Sequence, residues 1–211
     1  MDLKNLRLNY KKSTIDFKNA KENPIQYFMK WFEDALKLNN QEANACVLST
    51  VSSDSYPTSR VVLLKEINEN GFIFFTNYKS SKANDINVNP NVALNFYWPE
   101  LERQVRITGI AKKIAIKDSD AYFENRPRDS QMGAWLSDQS KVIGLDYSFM
   151  DTLNALETKF KDKEVERPLG WGGYCISPVR VEFWQGRPSR LHDRLVYEID
   201  SGKWNKKRLA P

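Results

Sequence analysis

The chain has 211 residues, of which 41% are hydrophobic and 12% aromatic, with a formal net charge of +5. That is enough apolar material for the core of one domain, and it excludes a globally disordered chain. The basic excess suits phosphate-bearing partners without choosing among nucleic acid, an anionic membrane and phosphorylated small molecules.

Residues 1–20 are polar and basic and read as a mobile arm apart from the core, leaving 21–211 as a single domain. From Pro24, the spacing of Ile25, Phe28, Met29, Phe32 and Leu36 predicts an amphipathic helix to about Leu38. Strands are predicted at Ala43–Ser52, Thr58–Ile67, Gly71–Thr76, Asn91–Trp98 and Glu102–Ile116, with a short helix, Ser80–Val88, stopping before Pro90. Two helices follow, Asp118–Asn125 and Asp151–Lys161. Three strands close the chain at Gly172–Ile176, Val179–Gln185 and Arg194–Ile199. Consecutive strands with tight turns argue for antiparallel pairing closed as a barrel, since a doubly wound sheet needs a helix after nearly every strand. The expected class is therefore mainly β with peripheral helices (α+β). The Gly170–Gly173 segment lacks the spacing and context of a phosphate loop and reads as a turn with close backbone approach.

The longest apolar runs, Val61–Leu64 and Phe72–Phe75, are far too short to span a membrane, and the N-terminus has no apolar signal core. A soluble, cytoplasmic protein is expected. Cys46 and Cys175 lie far apart and His192 is the only histidine, so no zinc cluster can be assembled from soft ligands. Both cysteines read as small buried hydrophobes.

Four groups of residues could carry chemistry. Arg60 and Lys65 precede Ser80, Ser81 and Lys82 at a helix start, where free N–H groups and cations favour an anion. Their five-residue separation points Arg60 and Lys65 to opposite faces of a regular strand, so either they serve different anionic groups or the strand is bulged. Tyr122 and Arg126 share a helix face, and Ser130 can fold back beside them as a second phosphate cradle. Gln104, Gln139, Ser140 and Trp184 are suited to the edge and face of a flat heteroaromatic ring. Phe183–Arg194 reads FWQGRPSRLHDR and gathers Arg187, Arg190, His192, Asp193 and Arg194 within about a hairpin's length. A lone histidine among charges is more often a solvated turn than a site. No carboxylate pair, Ser/His/Asp order or Cys/His pair stands out, so an enzyme built this way leaves the hard step to a bound cofactor. Two separate cradles favour two phosphorylated ligands over a nucleic-acid stripe.

RVVLLK at 60–65, FFTNYKSSKA at 74–83, LERQVRITG at 101–109, YFENRPRDSQMGAW at 122–135, WGGY at 171–174, FWQGRPSRLHDR at 183–194 and the closing RLAP run in order over nearly the whole chain. In these motifs the chain resembles the pyridoxine (pyridoxamine) 5'-phosphate oxidase family. The resemblance implies an FMN-binding split β-barrel, a homodimer with sites at the subunit interface, and no nucleic-acid or membrane partner. It implies that Arg60, Lys82, Gln104, Gln139, Ser140, Trp184 and Arg194 hold FMN, with Val61, Lys65, Phe75, Thr76 and Ser81 along it. Lys65, Tyr122, Arg126 and Ser130 would grip the substrate phosphate. Arg190, Leu191 and His192 would cover the pyridine ring, and Arg7 and Tyr10 of LRLNY would close over the substrate. Ser81 stands where family members often carry Arg, and Phe75 where Tyr is common; the first departure puts one cation on the FMN phosphate in question. The implied reaction takes a hydride from the substrate's C4' to flavin N5, yields pyridoxal 5'-phosphate, and returns the electrons to O2 as H2O2, with NH3 released from the amine. The nearest rival is a split-barrel flavoprotein acting on another substrate; a more distant one is a non-enzymatic carrier.

Overall fold

The computed structural model describes residues 1–6, 8–38 and 42–211. Helix α1 (Pro24–Lys37) precedes strands β1 (Ala45–Val51), β2 (Pro57–Asn68) and β3 (Gly71–Asn77). Helix α2 (Ser81–Val88) leads into β4 (Asn91–Trp98) and β5 (Arg103–Lys113). Helices α3 (Ile116–Glu124), α4 (Arg128–Leu136) and α5 (Phe149–Lys159) follow, then β6 (Trp171–Gln185), β7 (Asp193–Asp200) and β8 (Lys203–Leu209). The strands form one antiparallel sheet in the order β3-β2-β1-β4-β5-β6-β7-β8, and a β3–β6 pairing closes its first six members into a barrel. The expected antiparallel barrel with peripheral helices is thus what the chain builds.

The split lies in β6. Its first part pairs with β3, from Trp171↔Asn77 to Ile176↔Phe72. From Arg180 onward the same edge pairs with β7, while β5 follows the other edge throughout. Pro178 sits where the edge changes partner, so its missing N–H costs no ladder bond on that side. Opposite it the β5 register shifts at Gly109, where a Cβ would run into the Ser177 carbonyl. The two strands expected at 172–176 and 179–185 are therefore one strand with a partner switch. The glycines at 172 and 173 lie inside it, not in a turn.

Asn23 caps α1, its Oδ1 accepting from the Ile25 N–H at 2.8 Å. The helix buries Phe28 completely, with ring centroids 5.0 Å from Phe72 and 4.9 Å from Phe96. Its buried face is turned relative to the expected one. Tyr27 and Trp31 are inside, whereas Met29 and Leu36 are exposed. A second cluster, centred on Phe123, Met132, Phe160 and Trp171, lies under α3, α4 and α5. The first α4 turn accounts for Pro127: the proline that ends α3's run is the cap of the next helix.

The arm is corrected in its second half. Residues 1–6, 8 and 9 are exposed, but Ile15 and Ala20 join the main core. Glu102 Oε2 accepts from the Lys11 and Lys12 N–H groups at 2.8 and 2.9 Å, and Asp193 Oδ2 accepts from the Ile15 N–H at 3.2 Å. The polar composition hid these ties because backbone N–H groups make them. β8 was also not expected. Its sequence, KWNKKRL, has no apolar alternation; pairing with β7 forms it, and its lysines suit an edge strand. No helix is long and apolar enough to cross a membrane among the described residues.

Candidate functional site

A cavity of about 590 Å³ opens between β2, the end of β3, α3 and α4. Arg60, Lys65, Lys82 and Arg126 line it, and among the described residues no Asp or Glu does. The parity conflict between Arg60 and Lys65 is resolved by a bulge. The β2–β3 register shifts between Leu64 and Glu66, leaving Lys65 as the extra residue.

Arg60 is held from behind by hydroxyls. Its Nη1 donates to Thr50 Oγ1 and its Nη2 to Thr58 Oγ1, each at 2.7 Å. Both threonines in turn donate to Asp85 Oδ2, at 2.6 and 3.0 Å. Asp85 itself stays 3.9 Å from the guanidinium. Lys82 is only 8% exposed. Its Nζ reaches Thr76 Oγ1 at 3.3 Å and Ser80 Oγ at 3.5 Å, and no carboxylate pairs with it among the described residues. Burial, and then the charge of Arg60, lower the Lys82 pKa. Burial also lowers that of Arg60, with Asp85 acting against it. Lys82, partly desolvated and without a carboxylate partner, beside Arg60, whose ion pair with Asp85 is long, favours an incoming anion. Gln139 closes this end, its Oε1 accepting from Thr76 Oγ1 at 3.0 Å.

The other end is aromatic. Phe75 and Tyr122 stack at 3.7 Å with 9° between planes, and Trp171 continues the stack 5.3 Å from Phe75. Arg126 lies over Trp171 at 4.5 Å. Its Nη1 is buried without a hydrogen-bond partner, and burial lowers its pKa, offset by Tyr122. Ser130, in the first turn of α4, faces the same cavity. At Gly172 a Cβ would press on the Tyr78 ring end, so a larger residue would have to displace that side chain.

The remaining candidates lie elsewhere on the chain. Gln104, Trp184 and Arg194 are direct cross-strand neighbours on β5, β6 and β7. Tyr10 meets Trp184 edge-on at 5.7 Å and His192 at 5.9 Å, and the last two are 4.6 Å apart. His192 Nδ1 accepts from the Arg187 N–H at 3.1 Å, which leaves the neutral ring's proton on Nε2. Burial, and then Arg190, lower its pKa. Arg190 ends a 3₁₀ turn (Pro188–Arg190) with φ of 60°, and Leu191 is exposed. Arg194 donates through Nε and Nη2 to Glu182 Oε1, both at 2.9 Å, and through Nη1 to the Ala210 carbonyl. Glu182 is 1% exposed and also binds Arg106 and Arg180. Burial works to raise its pKa, but hydrogen bonds from Arg194, Arg180 and Arg106 together hold it below the ordinary carboxylate value.

Sequence reasoning missed Trp171, Asp85 and Glu182. Glu182 alone had a legible signal, a carboxylate on the strand face shared with Arg180 and Trp184. Ser81 and Ser140 are exposed and do not line the cavity; Ser140 has φ of 71°. Arg7 lies outside the described residues.

The two groups sit near opposite ends of β6. Gly172 to Trp184 is twelve residues, roughly 40 Å along a strand before curvature.

Residues 32–158 match the family model for pyridoxamine 5'-phosphate oxidase. The chain belongs to the pyridoxamine 5'-phosphate oxidase family. The motif-based resemblance therefore stands, and so does the assignment as an enzyme of this family. Residues 171–211, which carry the second group, match the pyridoxine 5'-phosphate oxidase C-terminal dimerisation region. A pyridoxine/pyridoxamine 5'-phosphate oxidase of Hydrogenovibrio crunogenus is 48% identical over 100% of this chain and 99% of its own. One from Actinobacillus pleuropneumoniae serotype 3 is 49% identical over the full length of both. Among solved structures, PhzG from Burkholderia lata, in complex with tetrahydrophenazine-1-carboxylic acid, superposes with a TM-score of 0.90 at 26% identity, covering 96% of this chain and 100% of PhzG. An FMN-binding protein of Nostoc punctiforme, related to pyridoxamine 5'-phosphate oxidase, shares the fold with a TM-score of 0.74 at 16% identity, over 90% of this chain and 100% of its own.

Proposed function

We propose that the protein is an FMN-dependent oxidase converting pyridoxine 5'-phosphate or pyridoxamine 5'-phosphate to pyridoxal 5'-phosphate. The observation that carries this is the cavity with four cations and no lining carboxylate among the described residues. We assign the cations to two phosphorylated ligands, as the family motifs imply. Lys82, buried with only hydroxyl partners, fits the cofactor phosphate together with Arg60. Arg126, with an orphaned Nη1 against Trp171, fits the substrate phosphate together with Lys65, Tyr122 and Ser130.

FMN, when bound, would supply the two-electron acceptor for C4' oxidation and return the electrons to O2 as H2O2; the alcohol gives the aldehyde directly, whereas the amine gives an imine that water hydrolyses to the aldehyde and NH3. The protein's share is orientation and electrostatics. Arg126 and its neighbours anchor one end of the substrate. Gln104, Trp184 and Arg194 complete the cofactor site, and Arg190 and His192 cover the substrate ring. With Nδ1 taken up by the Arg187 N–H, His192 has its Nε2–H left to donate toward the substrate ring and position it. Because the two residue groups are separated along β6, the site needs both together from two copies, which argues for a homodimer with interfacial sites. The dimerisation-region match over 171–211 supports this.

The test is peroxide formation from each phosphorylated vitamer by the FMN-loaded protein. Peroxide from either substrate supports the reading. A protein that takes up no flavin, or that takes it up and yields no peroxide from either, refutes it.

A further inference from the structure

We infer that Asp85 is a positioning residue for Arg60, acting through the paired hydroxyls of Thr50 and Thr58, and so sets the affinity for the cofactor phosphate. The inference rests on the reading that Arg60 and Lys82 hold that phosphate.

The geometry separates charge from orientation. A hydroxyl has one proton and can direct it only one way. Thr50 and Thr58 also lie 3.0 Å from each other, but the Asp85 carboxylate can only accept and draws both protons to Oδ2, at 2.6 and 3.0 Å. Their lone pairs are thereby left to face the Arg60 guanidinium, which donates to each at 2.7 Å. Thr50 is 1% exposed and Asp85 9%, so water competes little with their contact, whereas Thr58 is exposed and its contact is the weaker of the two. Asp85 holds the fork of Arg60 through the hydroxyls, its own oxygen forming only a long ion pair at 3.9 Å with no direct hydrogen bond to the guanidinium. A carboxylate in direct contact would tie up the guanidinium that the phosphate needs. The arrangement spans three elements: Thr50 on β1, Thr58 on β2 and Asp85 on α2, the helix that also carries Lys82. It therefore sets Arg60 relative to Lys82.

Orientation and simple charge predict opposite signs. Asp85→Asn deletes a negative charge near the phosphate, so charge alone tightens FMN. The positioning role predicts the reverse. The carboxamide can turn an N–H toward the hydroxyls, flip their protons toward Arg60 and free the guanidinium. The FMN dissociation constant, from flavin fluorescence titration of the full-length apoprotein, should rise roughly 10- to 100-fold. Thr50→Val/Thr58→Val keeps the Asp85 charge and removes the intermediaries. It should weaken FMN by a similar factor, whereas charge alone predicts no change. Circular dichroism and thermal melting of each apoprotein establish that it is folded, and the threonine variant carries the test if Asp85→Asn does not fold. The 31P resonance of bound FMN, which a loss of general stability leaves in place, should move in either variant. Unchanged or tighter FMN binding by folded variants, with wild-type binding intact, overturns this inference alone. A wild-type protein that binds no FMN overturns the functional reading on which it stands.

Discussion

Arg126→Met removes the cation proposed to hold the substrate phosphate while keeping an unbranched apolar stem. The guanidinium has a buried Nη1 without a protein partner and lies over Trp171 at 4.5 Å. An unsatisfied buried donor costs about 1–3 kcal/mol. A partly desolvated cation–π contact returns about 0.5–2 kcal/mol. The two nearly cancel, so the apoprotein should melt within roughly 4 °C of wild type. Binding behaves differently. A charge-assisted hydrogen bond to a phosphate contributes about 1.5–3 kcal/mol. Its loss should raise KM for the phosphorylated substrate roughly 10- to 150-fold. Because the phosphate is distant from the reacting carbon, it is gripped alike in ground and transition states, and kcat should change little. Steady-state peroxide assays and a melting curve measure both quantities. An unchanged KM, or a collapse in kcat at unchanged KM, would refute the anchoring role. A large drop in melting temperature would refute the view that the guanidinium is held for a ligand and not for the fold.

Glu182→Gln should destabilise the fold by about 3 kcal/mol in denaturant titrations near neutral pH, since it strips a buried carboxylate from Arg106, Arg180 and Arg194. Glu182 has a folded pKa below its unfolded one, so its contribution is present above the ordinary carboxylate range and disappears as pH falls through the folded value. The gap between wild type and Glu182→Gln should therefore shrink in acid; a gap constant from neutral to strongly acid pH contradicts this. His192, the only histidine, gives a single imidazole signal in proton NMR. It should titrate below the ordinary histidine value, and Arg190→Met should move its pKa upward by removing a nearby positive charge. A midpoint at or above the ordinary value would contradict burial and the Arg190 charge as the forces acting on the ring.

Much of the barrel was legible because its strands alternate or run apolar, and a run such as GFIFFT has few other places to go. The hidden elements are those that tertiary pairing creates. β8 is polar along its length and exists because β7 offers an edge. The arm from Tyr10 to Ala20 docks through backbone N–H groups, which no side-chain pattern reveals. The site divides in the same way. The sequence by itself determined which chemical types are present, namely cations, hydroxyls and amides, and its motifs determined the family. Only the tertiary structure decided their geometry. A single-residue bulge at Lys65 brings it to the cavity of Arg60, against strand parity. Packing, not spacing, brings Trp171 beneath Arg126 from 45 positions away in the chain, and Asp85 behind Arg60 through two hydroxyls. The length of β6 then separates Gln104, Trp184 and Arg194 from the cations they were grouped with. Strand periodicity acts over a few residues, whereas bulges, partner switches and buried polar contacts depend on which strands meet, and that is settled only when the barrel closes.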